Sequence, residues 1–284
     1  MTTTSSPGFS LMQEGISYIA CSEVPAVVVN IMRGGPGMGN IQPTQADYFQ
    51  ITKGGGHGDY NVIVLAPATL QEAVELTISA FDLADKYRCI SSIIADGMIG
   101  QIMEPVELPE VEVKRPDLSW ALTGAKGRKR NLITSLHLED VELEKVNLRL
   151  QETYARIRAN EQRHVEYMLE GAEVVVVTYG TAGRIAQTAV RQARSEGLPV
   201  GLFRPVTLWP FPNDALGQLA EDGQVRRLLV FELSAGQMLE DVRLATHDRL
   251  PIDFYGKMGG VVPTAEEVLI QVKRTVQLMP EGVI

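Results

Sequence analysis

The chain is predicted to be α/β, with two Rossmann-like parallel-sheet domains, on three observations. Short runs such as "AVVVNIM" and "EVVVVTYG" are dominated by β-branched apolar residues, as strands covered on both faces require. Segments with apolar residues at helical spacing alternate with them, which is βαβ grammar. The alternation is interrupted once, over residues 104 to 135, and so divides the 284 residues into two series.

The opening "MTTTSS" reads as a solvated tail. Ser5, Ser6, Pro7 and Gly8 then begin a helix, with Met12, Ile16, Ile19 and Ala20 on one face. "AVVVNIM" is the next strand, and "NVIVLA" follows a glycine-rich stretch. Thr69 and Glu72 have capping-box spacing, and Leu70, Val74, Thr77, Ile78 and Phe81 form the expected inner side of that helix. "CISSIIA" supplies a strand ending at Asp96. Pro105, Pro109, Pro116 and "TGAKGRKR" mark an extended connection. Residues 138 to 169 read as a charged helix whose narrow apolar stripe is Val146, Leu150, Tyr154 and Ile157. The second series takes "EVVVVTYG", "LPVGLF", "RRLLVFE" and "IDFYG" as strands. Thr264 and Glu267 cap its last helix. The expected division is 1–103, a linker with the long helix over 104–171, and 172–284.

Composition excludes several functions. A net charge of −9 disfavours nucleic acid or an anionic membrane as partner, and "KGRKR" (Lys126 to Arg130) reads as a solvated loop. Cys21 and Cys89 lie far apart without a Cys-x-x-Cys, so neither structural zinc nor a locally ligated iron–sulfur cluster is expected; such sparse usage fits a reducing cytoplasm. His57, His137, His164 and His247 never fall at metal-ligand spacing, and no metal site is expected. There is no H-E-x-x-H, no G-x-S-x-G, no leader and no long apolar span.

The stretch "IMRGGPGMGNIQPTQADYFQITKGGGHGDY" carries the chemistry. It is not a P-loop, because Lys53 precedes Gly54, Gly55 and Gly56. It is not a dinucleotide fingerprint either, because Asn40 stands where a third glycine belongs. Pro36 and Pro43 stiffen it, and Asn40, Gln42, Thr44, Gln45 and Asp47 supply directional hydrogen bonds that a Gly/Ser spacer lacks. Arg33 follows a strand's carboxyl end, where ligands of open parallel sheets bind. Beside Gly34, Gly35 and Gly37 its guanidinium suits bidentate capture of a small carboxylate; it equally suits a structural ion pair with an acidic neighbour.

The segment from "SSPGFSLMQEG" through "RGGPGMGNIQPTQADYFQITKGGGHGDY" resembles the α subunit of 2-oxoacid:ferredoxin oxidoreductases, of the branched-chain 2-oxoacid or 2-oxoglutarate type. "DGMIGQIMEPVE", "WALTGAKGR" and "AEVVVVTYGTAGRIAQTAVRQARSEGLPVGLFRPVTLWPFP" extend the resemblance over nearly the whole chain. It implies a thiamine diphosphate pyrimidine-binding domain followed by a transketolase C-terminal-like domain. It also implies a hetero-oligomer: thiamine diphosphate shared with a β subunit, Mg²⁺ and a [4Fe–4S] cluster on partner subunits, coenzyme A as co-substrate. Further γ and ferredoxin-like δ subunits, with ferredoxin as electron acceptor, complete the implied set. Arg33 takes the place of the family arginine that holds the substrate carboxylate. Ser5, Ser6, Pro7 and Gly8 would lie near the cofactor, with Gly34, Gly35, Gly37, Asn40 and Gln42 shaping the pocket.

The resemblance also implies an N-terminal Tyr-Pro-Ile-Thr-Pro-like segment and a glutamate for the cofactor's pyrimidine, and neither is present. The expectation is an N-terminally truncated chain without a catalytic side chain of its own, inactive alone, its first sheet short of strands. Glu14 and Glu23 do not fit the missing role. Two other readings stand beside this one: a pyrimidine-domain subunit of an E1 β-like thiamine enzyme, and a non-catalytic assembly paralogue. "RGGPGMGNIQPTQAD" favours the ferredoxin-linked family over the first.

Overall fold

In the computed structural model, which describes residues 1–110 and 117–279, valine and isoleucine runs form the centre of both sheets. Pro116, expected within the extended connection, lies outside the described residues. The first half runs β1 (Thr2–Thr4), α1 (Pro7–Cys21), β2 (Ala26–Met32), α2 (Tyr48–Thr52), β3 (Ile63–Leu65), α3 (Leu70–Tyr87) and β4 (Ile90–Asp96). A long arm leads to α4 (Asp140–Asn160) and β5 (His164–Tyr167). Then come β6 (Val174–Val177), α5 (Gly180–Ser195), β7 (Val200–Pro205), β8 (Thr207–Trp209) and α6 (Asn213–Glu221). The chain continues through β9 (Arg227–Glu232), α7 (Gln237–Thr246), β10 (Ile252–Gly256) and α8 (Ala265–Gln277).

The first sheet has the order β1-β2-β4-β3-β8 and the second β10-β9-β6-β7-β5. Pairing is parallel except at one edge of each sheet, where β8 runs antiparallel to β3 and β5 antiparallel to β7. Every residue of β4 and of β6 is buried, so both faces of each strand are covered, as the unbroken valine run of β6 predicts; β4 buries Ser91, Ser92 and Asp96 as well.

The expected tail is a strand instead. Thr2 to Thr4 pair in parallel with Val28 to Asn30, because three β-branched residues beside an open edge gain backbone hydrogen bonds there. The charged helix ends at Asn160 rather than near 169: Glu161 leaves helical geometry, and His164 to Tyr167 join the second sheet. Its stripe of Val146, Leu150, Tyr154 and Ile157 is buried as the spacing predicts. Tyr154 meets Trp209 edge-on, with ring centroids 5.7 Å apart.

On α3 the inner face is displaced from the predicted one. Ala80, Leu83, Ala84 and Tyr87 are buried, whereas Phe81 is 45% exposed. The cap is also only half a box. The Thr69 hydroxyl accepts from the Glu72 amide, but the Glu72 carboxylate accepts from the Ala68 amide and pairs with Arg204. At Thr264 and Glu267 the reciprocal box is complete.

Cys89 sits in the first-half core, where burial pushes its thiol up to about 12, while Cys21 is partly exposed. Since the thiolate is the nucleophile, an aromatic disulfide reagent at pH 8 should titrate at most one thiol in the native protein and two after denaturation. Two fast-reacting thiols before unfolding would contradict the packing around Cys89.

Candidate functional site

The carboxyl end of β2 opens onto a cleft of about 720 Å³ that both halves line. From the first half come Ser6, Pro7, Ser10, Arg33, Thr44 and Asp47, with the glycine loop from Gly34 to Met38. Ser234, Ala235 and Gln237 close it from the loop after β9, and Met258 and Gly259 from the loop after β10. Of the residues singled out in the sequence, Ser6, Pro7, Arg33, Gly34, Gly35 and Gly37 line this cleft. Ser5, Gly8, Asn40 and Gln42 do not.

Arg33 follows the last residue of β2 and pairs with Pro43 in an isolated antiparallel bridge. The loop between them folds back on itself. The Gly34 amide donates to the Gln42 carbonyl at 2.9 Å, and the Asn40 amide to the Gly34 carbonyl at 2.9 Å. Gly39 has φ +56°, and a Cβ there would collide with the Gly34 carbonyl, so this turn requires glycine. Asn40 ties the loop to the second half by donating its amide to the Gly259 carbonyl at 2.9 Å. Gly8 serves packing: a Cβ on it would strike the Thr4 hydroxyl.

The Arg33 guanidinium donates to the carbonyls of Met38 and Asn40. Among the described residues it makes no ion pair, so its partners are neutral and its charge is not cancelled by a contacting carboxylate. The structural ion pair left open by the sequence is not formed among the described residues. The nearby Asp47 is held by donors instead: Ser6 Oγ donates to its Oδ2 at 2.6 Å and Asn30 Nδ2 at 2.9 Å.

Thr44 and Gln45, expected to supply directional hydrogen bonds, spend them on joining the halves. The Thr44 hydroxyl donates to the Leu233 carbonyl at 3.0 Å. Fully buried Gln45 donates to the Tyr179 carbonyl at 2.8 Å and accepts from the Leu233 amide at 2.7 Å. Tyr48 Oη donates to Asp241 at 2.5 Å, and Lys53 pairs with the same carboxylate. Burial pushes the Tyr48 and Tyr179 hydroxyls well above the usual tyrosine range. It also raises the Glu232 carboxyl, opposed by donors at Ser234, Met238 and Leu239, which fix the loop carrying Ser234 and Ala235.

Sequence reasoning missed the wall built from Ser234, Ala235, Met258 and Gly259. No local motif marks it; only the turn glycines Gly259 and Gly260 ahead of the last capping box hint at a shaped loop. Glu14 and Glu23 lie outside the cleft, bonded to Tyr18 and Arg149. Among the described residues no cluster of three or more His, Cys, Asp or Glu could hold a metal, and no helix is long and apolar enough to cross a membrane.

Two α/β halves thus meet at a cleft whose arginine is contacted by no carboxylate among the described residues. Comparison with known proteins makes this specific. Residues 1–177 match the family described as pyruvate flavodoxin/ferredoxin oxidoreductase, thiamine diphosphate-binding, and residues 172–268 match pyruvate:ferredoxin oxidoreductase core domain II. The chain belongs to this family.

Ketoisovalerate oxidoreductase subunit VorB of Methanothermobacter thermautotrophicus is 49% identical over 96% of this chain and 77% of its own length. 2-Oxoglutarate synthase subunit KorA of Methanocaldococcus jannaschii is 35% identical over 94% and 78%. The fold superposes with a TM-score of 0.84 on a 2-oxoglutarate:ferredoxin oxidoreductase from Magnetococcus marinus, at 24% identity over 97% of this chain. This chain spans only 53% of that one. A split-gene transketolase gives a TM-score of 0.57 at 15% identity.

Proposed function

We propose that this chain is the α subunit of a 2-oxoacid:ferredoxin oxidoreductase, and that its cleft receives a short aliphatic 2-oxoacid. The carrying observation is the cleft itself. Arg33 is its one lining cation and Asp47 its one lining anion, while Pro7, Pro36, Met38, Ala46, Ala235 and Met258 supply apolar surface. One guanidinium serves one carboxylate. A dicarboxylate would bring a second anion for which the cleft offers no second cation among the described residues. The 49% identity to a ketoisovalerate enzyme subunit supports the same substrate class.

The cleft is large enough for part of thiamine diphosphate, and at Gly35 and Gly37 nothing in the protein lies within 4 Å of where a Cβ would stand, so a ligand can approach the backbone. Ser6, Pro7 and Gly34 would meet that cofactor. Bound thiamine diphosphate supplies the electron sink for decarboxylation. The overall change takes 2-oxoacid, coenzyme A and two oxidised ferredoxins to acyl-CoA, CO₂, a proton and two reduced ferredoxins. In it Arg33 binds and orients the substrate carboxylate, and the rigid loop from Gly34 to Gln42 keeps the guanidinium at the cleft. The apolar lining excludes water from the bond that breaks. Mg²⁺, the [4Fe–4S] cluster and the diphosphate site belong to β, γ and δ subunits in this reading, and the complex works in the cytoplasm.

Co-purification with the products of adjacent genes, then a 2-oxoacid panel with viologen or ferredoxin as acceptor, tests it. We expect kcat/KM for 3-methyl-2-oxobutanoate to exceed that for 2-oxoglutarate by about tenfold or more, the cost of one unpaired charge. A preference for 2-oxoglutarate would overturn the substrate class. No turnover of any 2-oxoacid by the assembled complex would overturn the function.

A further inference from the structure

Asp47 stands in the cleft with a carboxylate that no cation contacts among the described residues, and its hydrogen bonds converge on the residue that carries Arg33. Ser6 occupies a left-handed backbone conformation, φ 30° and ψ −82°, which costs a non-glycine residue on the order of 1–3 kcal/mol. Such a conformation persists only when its surroundings hold it. Two groups do so here. Asn30 Oδ1 accepts from the Ser6 amide at 2.9 Å, and Asp47 Oδ2 accepts from the Ser6 hydroxyl at 2.6 Å. Asn30 Nδ2 donates to the same Asp47 oxygen at 2.9 Å, closing the set.

The serine oxygen held in this way accepts from the Arg33 amide at 3.0 Å, where β2 ends and the glycine loop begins. The chain of contacts thus runs from Asp47 through Ser6 to the backbone of Arg33. The Arg33 guanidinium is fixed separately, by carbonyls of its own loop. Its position in the cleft is therefore the sum of a loop contact at the tip and an Asp47-dependent contact at the root.

We infer that Asp47 is a positioning residue for the substrate carboxylate: it locks Ser6, and through Ser6 sets the backbone from which Arg33 reaches its ligand. This rests on the 2-oxoacid reading of the cleft. Asp47 transfers no proton in this role and exchanges no covalent bond. Its loss weakens binding of the 2-oxoacid and leaves the use of coenzyme A unchanged.

The test uses the assembled complex with Asp47→Ala, Asp47→Asn and Ser6→Ala. Asp47→Ala is expected to raise KM for the 2-oxoacid about tenfold, the weight of one charge-assisted hydrogen bond, with KM for coenzyme A unmoved. Asp47→Asn keeps an acceptor oxygen and should restore most of the loss; Ser6→Ala should reproduce it. Combined with Arg33→Ala, Asp47→Ala should add little, because both act on one contact. A fall in kcat at unchanged KM, equal effects on both substrates, or full additivity with Arg33→Ala would overturn the inference. A crystal structure of the Asp47→Asn or Asp47→Ala protein reads the geometry without activity. Displacement of Ser6 and of the Arg33 backbone in the alanine variant supports the role, and an unmoved Ser6 and Arg33 refute it. Absence of wild-type turnover would instead strike the functional reading, and the crystallographic arm would still decide whether Asp47 sets Arg33.

Discussion

Arg33→Ala in the assembled complex should raise KM for the 2-oxoacid about 10- to 100-fold, because a hydrogen-bonded charge contributes about 1.5–3 kcal/mol and each 1.4 kcal/mol is a factor of ten. KM for coenzyme A should stay within about twofold, and kcat should change little, the signature of lost uniform binding. The guanidinium is held by two carbonyls and by no carboxylate among the described residues, so removing it breaks no internal ion pair. Equal effects on the two substrates would sink the carboxylate role. Loss of thermal stability comparable to the kinetic loss would instead assign Arg33 to holding the glycine loop.

Glu72→Ala should destabilise the protein by about 3 kcal/mol, since breaking one side of a largely buried ion pair leaves the other charge uncompensated. Arg204 is only 8% exposed at its side chain, and both its Nη atoms donate to Glu72. Glu72 also accepts from the Ala68 amide, so its loss bares one end of α3 as well. Thermal unfolding of the purified protein should show a midpoint roughly 6–12 °C lower. Adding Arg204→Met should recover much of the loss, because it removes the stranded charge. A shift under about 2 °C for the single variant would mean that water reaches Arg204 and screens it, an outcome expected of surface pairs.

The central parallel strands β4, β6, β7 and β9 were legible because each is a short run rich in apolar residues and almost wholly buried, and burial needs no partner-specific information. Arg33 was legible for a related reason: it directly follows such a run. What surrounds Arg33 was not. Asp47 and Asn30 are 17 residues apart and meet over Ser6, 24 residues before Asn30. The helical spacing on α3 pointed to Val74, Ile78 and Phe81, but the sheet takes the small residue Ala80 and its neighbours, where the helix can approach closely. Glu72 carried capping-box spacing, yet a guanidinium 132 positions away outcompetes the Thr69 amide for its carboxylate. Gln45 read only as one of the loop's hydrogen-bonding groups, and its role as a joint between halves was not legible because its partners, Tyr179 and Leu233, lie far along the chain; a fully buried amide must satisfy its donors and acceptors locally. Short strands such as β8 carry too few residues for any periodicity.

Thr207 to Trp209 leave the half that precedes and follows them and complete the other half's sheet beside β3. A cut near residue 172 would therefore not release two modules. One fragment would bare the edge at Ile63 to Leu65, and the other would carry an orphaned strand, both prone to pair with foreign chains. The same crossing, with Gln45 bolted to Tyr179 and Leu233, sets the distance between the cleft's walls. Substrate entry is thus no clam-shell motion of this chain.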